Sequence, residues 1–159
     1  MQEQAGIPSK AKLDRRQFIQ TAAAGALAMS TIVSRKAYAQ SKIKIGLIGC
    51  GWYGLVDLKA AFKVGGVECI AMCDVDSEHL ATSAAEIEGL QGFKPATFKD
   101  YRQLLEVPEL QAVIIATPPH WHALPFIAAL ERGVDIYCEK PLAYDIRECQ
   151  AMVEASKKP

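Results

Sequence analysis

The chain has 159 residues, of which 50% are hydrophobic and 23% charged, an ordinary soluble globular composition of single-domain size. Lys plus Arg number 18 and Asp plus Glu number 18, so the formal net charge is zero. That balance offers nothing to attract a polyanion over a whole face and sets nucleic acid aside as a partner.

Residues 1–40 read as an address. Asp14-Arg15-Arg16-Gln17-Phe18-Ile19 precede an uncharged, Ala- and Gly-rich stretch from Thr21 to Val33, followed by Arg35-Lys36 and then Ala37-Tyr38-Ala39. A basic segment, a short apolar segment and an Ala-x-Ala site make a secretory signal. The apolar stretch is too short and too weak for a spanning helix of about 20 strongly apolar residues. The arginine pair followed by Phe18-Ile19 resembles the twin-arginine export signal. The resemblance implies the twin-arginine machinery as a partner, a mature chain beginning near Gln40, and a periplasmic or otherwise exported location; the alternative is a retained N-terminal anchor.

From residue 41 to residue 159, strands and helices alternate. Lys42 to Ile48 is a strand that becomes fully apolar, as buried parallel strands do. Trp52 to Lys63 has helical periodicity and stops at Gly65-Gly66. Val67 to Cys73 is a second apolar strand closing on Asp74. Ser77 to Glu88 predicts a helix ended by Gly89. Pro95 to Phe98 is a weak third strand, and Asp100 caps a short helix, Tyr101 to Glu106, which Pro108 prevents from continuing. Ala112 to Ala116 is a strongly apolar strand broken by Thr117-Pro118-Pro119. A helix then runs to Arg132 with Gly133 as its stop, Val134 to Cys138 is the fifth strand, and Asp145 with Glu148 opens a last helix to Lys158.

This rhythm predicts an α/β fold: a doubly wound parallel sheet with five of its six strands present. The chain stops where the last helix would hand over to strand six. A C-terminal α/β domain is therefore expected to be absent, and the polypeptide by itself is expected to bind its ligand weakly and not to turn over substrate.

Gly49-Cys50-Gly51-Trp52-Tyr53-Gly54 is a G-x-G-x-x-G run between a strand and a helix, and Asp74 follows Gly54 by 20 residues at the end of the next strand. That context marks a Rossmann dinucleotide site. Gly49 allows the tight turn, Gly51 lets the backbone approach the pyrophosphate, and Gly54 lets helix and strand pack closely. The helix N-terminus presents free N–H groups to the phosphates. Asp74 accepts hydrogen bonds from the adenosine ribose. With Val75 and Asp76 after it and no Arg or Lys nearby in the sequence to meet a 2′-phosphate, Asp74 favours NAD over NADP.

Three motifs coincide in order and spacing: the glycine run, Ala116-Thr117-Pro118-Pro119-His120-Trp121-His122-Ala123, and Glu139-Lys140-Pro141-Leu142-Ala143. Together they resemble the Gfo/Idh/MocA oxidoreductases, over nearly the whole chain after the export segment. The resemblance implies a lysine, Lys140, that contacts substrate and nicotinamide and acts catalytically, and a histidine of the second motif at His122. It implies a cofactor wall built from Gly49, Gly51, Trp52, Tyr53, Gly54, Asp74, Thr117, Pro118, His122, Glu139 and Lys140. The family often has Asn where this chain has Pro119, so a side-chain contact from that position is lost. Two of these residues carry a second reading: Lys140 as a surface lysine paired with Glu139, and His122 as a helix-start residue bonded to backbone.

The activity implied is an NAD-dependent dehydrogenase for a sugar, polyol or cyclitol, homo-oligomeric when full length. The alternatives are a redox-assisted glycosidase of the same family and an inactive dinucleotide-binding fragment. No spacing of His and carboxylates suggests a metal. Cys50, Cys69, Cys73, Cys138 and Cys149 contain no C-x-x-C pair and are odd in number. Cys69, Cys73 and Cys138 are expected as small buried hydrophobes, and Cys50, inside the glycine turn, as partly exposed.

Overall fold

A computed structural model describes residues 41–157; the expected export segment, with Arg15 and Arg16, lies outside them. The strands are β1 (Ile43–Ile48), β2 (Val67–Cys73), β3 (Ala96–Phe98), β4 (Ala112–Ile115) and β5 (Asp135–Cys138). The helices are α1 (Trp52–Val64), α2 (Ser77–Gln91), α3 (Tyr101–Leu105), α4 (Ala123–Glu131) and α5 (Ile146–Ser156), with a 3-10 turn at Pro119–Trp121 before α4. The five strands form one parallel sheet in the order β3-β2-β1-β4-β5. This is the expected doubly wound arrangement, with the chain reversing its direction of travel between β1 and β4.

The alternation of side chains along each strand divides the core in two. Leu47, Met72 and Ile114 pack with Leu58 of α1 and with Leu80, Ala84 and Ile87 of α2. Ile48, Cys73, Val113 and Ile115 pack with Leu104 and Leu105 of α3 and with Ala129 of α4. Both faces of the central strands are therefore buried, which is why β1, β2 and β4 read as continuous apolar runs.

Caps set where the helices begin. Asp76 accepts the amides of Glu78 and His79 at 2.8 and 3.1 Å, and Asp100 accepts that of Arg102 at 2.9 Å. Those two amide bonds hold the Asp76 carboxyl below its ordinary range. Asp145 accepts the amide of Glu148 at 2.9 Å, while the Glu148 carboxylate reaches back to the amide of Tyr144 at 2.8 Å, one residue earlier than in the usual reciprocal box.

Two sequence expectations are corrected. Gly89 does not stop α2; it is exposed inside the helix, where glycine costs about 1 kcal/mol relative to Ala but is tolerated. The stop is Gly92, at φ 88°, whose N–H returns to the Glu88 carbonyl. Cys50 is not partly exposed: it is 1% accessible, and its thiol points at the Cys73 carbonyl, 3.4 Å away.

Candidate functional site

A cleft of about 680 Å³ opens at the carboxyl ends of β1, β2 and β4. Gly49, Gly51, Trp52, Tyr53, Asp74, Thr117 and Pro118 line it, so two motifs far apart in sequence share one wall. The position follows from the topology: the crevice forms where the strand order reverses.

The glycine turn shows three distinct constraints. Gly49 has φ +94°, and a Cβ there would lie 2.7 Å from the backbone of Ala116 and Thr117. A Cβ on Gly54 would meet the Gly49 carbonyl oxygen at 2.0 Å. Gly51 has nothing within 4 Å of its Cβ position, so its backbone faces open cleft. Helix α1 starts there with no side-chain cap, unlike α2, α3 and α5. Its first-turn amides are thus directed at whatever occupies the cleft.

Asp74 is half-buried and held by main chain. Its Oδ2 accepts the Cys50 amide at 2.7 Å and its Oδ1 accepts the Asp76 amide at 2.9 Å. A carboxylate oxygen has more than one lone-pair site, so both keep capacity for a ribose hydroxyl. Lys99 and His79 line the same cleft. This amends the sequence reading, which found no cation near Asp74. Lys99 follows β3, whose Phe98 carbonyl accepts the Asp74 amide at 3.2 Å, and strand pairing brings it in from 25 positions away.

The third motif closes over the glycine turn. Lys140 is exposed, with Nζ 5.4 Å from the centroid of the Tyr53 ring, within cation–π range. Glu139 is 8% accessible, and Oε1 accepts the Tyr137 hydroxyl at 2.8 Å while Oε2 accepts the Lys140 amide at 3.0 Å. Glu139 therefore does not pair with the Lys140 ammonium, as the alternative reading of Lys140 required. It holds the backbone of Lys140 instead and leaves the ammonium free to meet a ligand.

His122 is used differently from the expectation that it lines the cofactor wall. It is 1% accessible, with Nδ1 2.9 Å from the Pro141 carbonyl oxygen and Nε2 2.6 Å from that of Thr117. Both nitrogens are occupied by backbone beneath the cleft, which matches its other reading. His120 and Trp121, which precede it, are exposed at the cleft edge. The Thr117 hydroxyl oxygen is buried without a partner.

Sequence reading missed two residues. Tyr137, two positions before Glu139, lies on the same side of the extended chain; the bond to Glu139 and its nearby charge push its phenol up to about 12. Asp57, one turn after Tyr53 on α1, has a buried Oδ2 without a partner. Burial and the Glu139 charge push its carboxyl up, and the Lys140 charge opposes them. The i, i+4 spacing of Tyr53 and Asp57 was the available signal for the second.

Burial pushes Cys69 and Cys73 up to about 12 and raises Cys50 further.

Comparison with known proteins places this geometry among relatives. Residues 43–159 match the family model described as an oxidoreductase family with an NAD-binding Rossmann fold. The chain is 33% identical over 115 residues to inositol 2-dehydrogenase 4 of Saccharopolyspora erythraea, covering 72% of this chain and 32% of that protein. It is 31% identical over 173 residues to a glycosyl hydrolase family 109 protein of Shewanella pealeana, covering 92% and 38%. Among solved structures, myo-inositol dehydrogenase from Lactobacillus casei in complex with NAD(H) and myo-inositol superposes with a TM-score of 0.67 at 25% identity, over 74% of this chain and 34% of that one. The chain thus spans about a third of the length of the relatives it matches.

Proposed function

The chain belongs to the Gfo/Idh/MocA oxidoreductase family, with its NAD-binding Rossmann fold, and from that membership we propose that it is the nucleotide-binding part of an NAD-dependent dehydrogenase acting on a hydroxyl of a sugar, polyol or cyclitol. One observation carries the reading: the Lys140 ammonium stands over Tyr53 at the mouth of the glycine turn, its backbone held by Glu139. A free cation is thereby fixed beside a built phosphate cradle.

The residues present fit a dinucleotide. The open approach at Gly51, the uncapped start of α1 and the orphaned Thr117 hydroxyl are the features that support this. The first-turn amides of α1 would hold the pyrophosphate and Asp74 the adenosine ribose. When bound, the nicotinamide supplies the hydride acceptor. Lys140 would orient the substrate hydroxyl and relay its proton to solvent as the carbinol is oxidised. The fixed carboxylate of Asp74 repels a 2′-phosphate, which favours NAD over NADP, and Lys99 sets the limit of that preference.

Titrating NAD and NADP into the purified protein tests the cofactor; tighter binding of NADP overturns that half. Incubating the full-length protein with NAD and cyclitols or sugars tests the reaction, and net NADH formation is the expected result. The second reading, a redox-assisted glycosidase that leaves no net NADH, draws support from the similarity to the family 109 protein over 92% of this chain. Release of sugar without net NADH would favour it. Residues 1–40 are proposed to direct export by the twin-arginine route, on the order of arginine pair, apolar run and Ala-x-Ala site.

A further inference from the structure

We propose that His122 is a positioning residue that holds Lys140 in place, and that it does so as a doubly protonated ring clamping the end of β4 to the loop after β5. The inference rests on the reading of Lys140 as the substrate-facing cation, and extends it to the group that fixes its loop.

The ring is buried, and both its nitrogens face carbonyl oxygens: Nδ1 at 2.9 Å from Pro141 and Nε2 at 2.6 Å from Thr117. A carbonyl oxygen only accepts. A neutral imidazole has one N–H, so it can serve one of the two and turns a lone pair toward the other. The doubly protonated ring serves both. Turning the ring over would put carbon atoms at both carbonyls and leave each without its donor. Among the described residues no other hydrogen bond reaches either oxygen.

The consequence falls on Lys140. Its loop is tied on the strand side by the Glu139 amide on the Ile115 carbonyl, at 2.9 Å, and by the Glu139 carboxylate on the Lys140 amide. Beyond Lys140, the contact at the Pro141 carbonyl is the first tie, and Leu142 and Tyr144 are exposed. Without the clamp, the segment carrying the ammonium is held from one side.

No carboxylate lies within ion-pair distance of His122 among the described residues. The elements packed on α4 are β4, β5, α3, α5 and the 3-10 turn. β4 carries no ionisable group, and the turn carries His120. β5 carries Asp135, Tyr137 and Cys138, and its loop carries Glu139 and Lys140. α3 carries Tyr101 and Arg102, the latter paired with Asp100. α5 carries Arg147, Glu148, Cys149 and Glu154, with Glu148 engaged by the Tyr144 amide and Glu154 by Lys157. The second ring proton is thus held by two carbonyl dipoles and not by an ion pair.

The chain has three histidines, so nitrogen-15 NMR of the ring nitrogens is tractable, with His122 identified by its loss in His122→Phe. Both nitrogens of His122 are expected to carry protons, since each faces a carbonyl oxygen. In His122→Phe the Lys140 amide, bonded to Glu139, and the Tyr144 amide, bonded to Glu148, should exchange at least about tenfold faster, while amides of the glycine turn stay within about twofold. His122→Gln, whose amide group has two N–H donors, should recover most of that protection. In the full-length enzyme His122→Phe should lower kcat about tenfold with the apparent KM for NAD changed less than about threefold. A ring with one N–H overturns the clamp, as do unchanged loop amides in His122→Phe. The outcomes separate from those of the functional reading. A protonated clamp in a protein that never turns over NAD sinks the dehydrogenase and leaves the clamp. A neutral ring in an active enzyme sinks the clamp alone.

Discussion

The Asp74 carboxylate accepts the amide proton of Cys50 at 2.7 Å. The residue suited to reading the adenosine ribose therefore also ties the end of β2 to the glycine turn. Asp74→Ala should lose both functions. Breaking a charge-assisted hydrogen bond of this kind costs about 1.5–3 kcal/mol, so a fall in thermal midpoint should accompany the loss of NAD affinity. Asp74→Asn keeps an acceptor and removes the charge, so it should shrink the preference for NAD over NADP with a smaller loss of stability. Calorimetric titration with both cofactors and a melting curve check the pair; an unchanged preference in Asp74→Asn would show that the carboxylate does not discriminate.

The glycines separate folding from binding. Gly54→Ala places a Cβ 2.0 Å from the Gly49 carbonyl oxygen, where backbone must shift. A destabilisation of about 1–3 kcal/mol is expected, as for other overpacked sites. Gly51→Ala meets nothing within 4 Å, at φ −67°, which suits any residue. It should fold within about 0.5 kcal/mol of the parent and still bind NAD at least tenfold more weakly, since the methyl occupies the approach to the pyrophosphate (about 1.4 kcal/mol per tenfold). Undiminished affinity in Gly51→Ala would place the phosphates elsewhere.

Lys140→Ala in the full-length enzyme should lower kcat by the roughly 10²–10⁴-fold typical of a general acid–base group, with NAD affinity nearly intact. Its contact with Tyr53 is at the surface, so the fold should not notice its removal. A kcat within about twofold of the parent would remove Lys140 from the chemistry.

Tyr137 gives a pH signature. Its phenol is held up to about 12 by the bond to Glu139, against an ordinary value of about 10. The folded protein keeps that proton after the unfolded chain has lost it. Stability from this bond is thus complete below about pH 10 and falls as pH rises toward 12. Solvent around so exposed a side chain reduces the size of that loss. In Glu139→Gln, ultraviolet titration should show Tyr137 ionising at lower pH than in the parent; identical titrations would mean that the carboxylate does not hold the phenol.

Thiol reactivity should sort by burial. Cys149 is exposed, Cys138 is half-buried, and Cys50, Cys69 and Cys73 are buried and held protonated. A disulfide reagent at neutral pH should modify Cys149 quickly, Cys138 slowly, and the other three at the rate of unfolding. Fast modification of Cys50 would contradict its burial.

The local pattern of residues determined the alternation of strands and helices, the glycine turn after β1 and the aspartate at the end of β2. Each depends on hydrogen bonds or side-chain periods a few residues long, and these are written in consecutive positions. The expected stop of α2 at Gly89 failed for the same reason seen from the other side: a solvent-facing glycine costs little, and the terminus is set by which glycine adopts the left-handed conformation, here Gly92. Tertiary structure decided what distant segments do to each other. Strand pairing carries Lys99 into the cleft of Asp74 and buries Cys50 against Cys73. It also places His122 between the carbonyls of Thr117 and Pro141, a role with no local signature, because what a buried ring donates to depends on the chain folded around it.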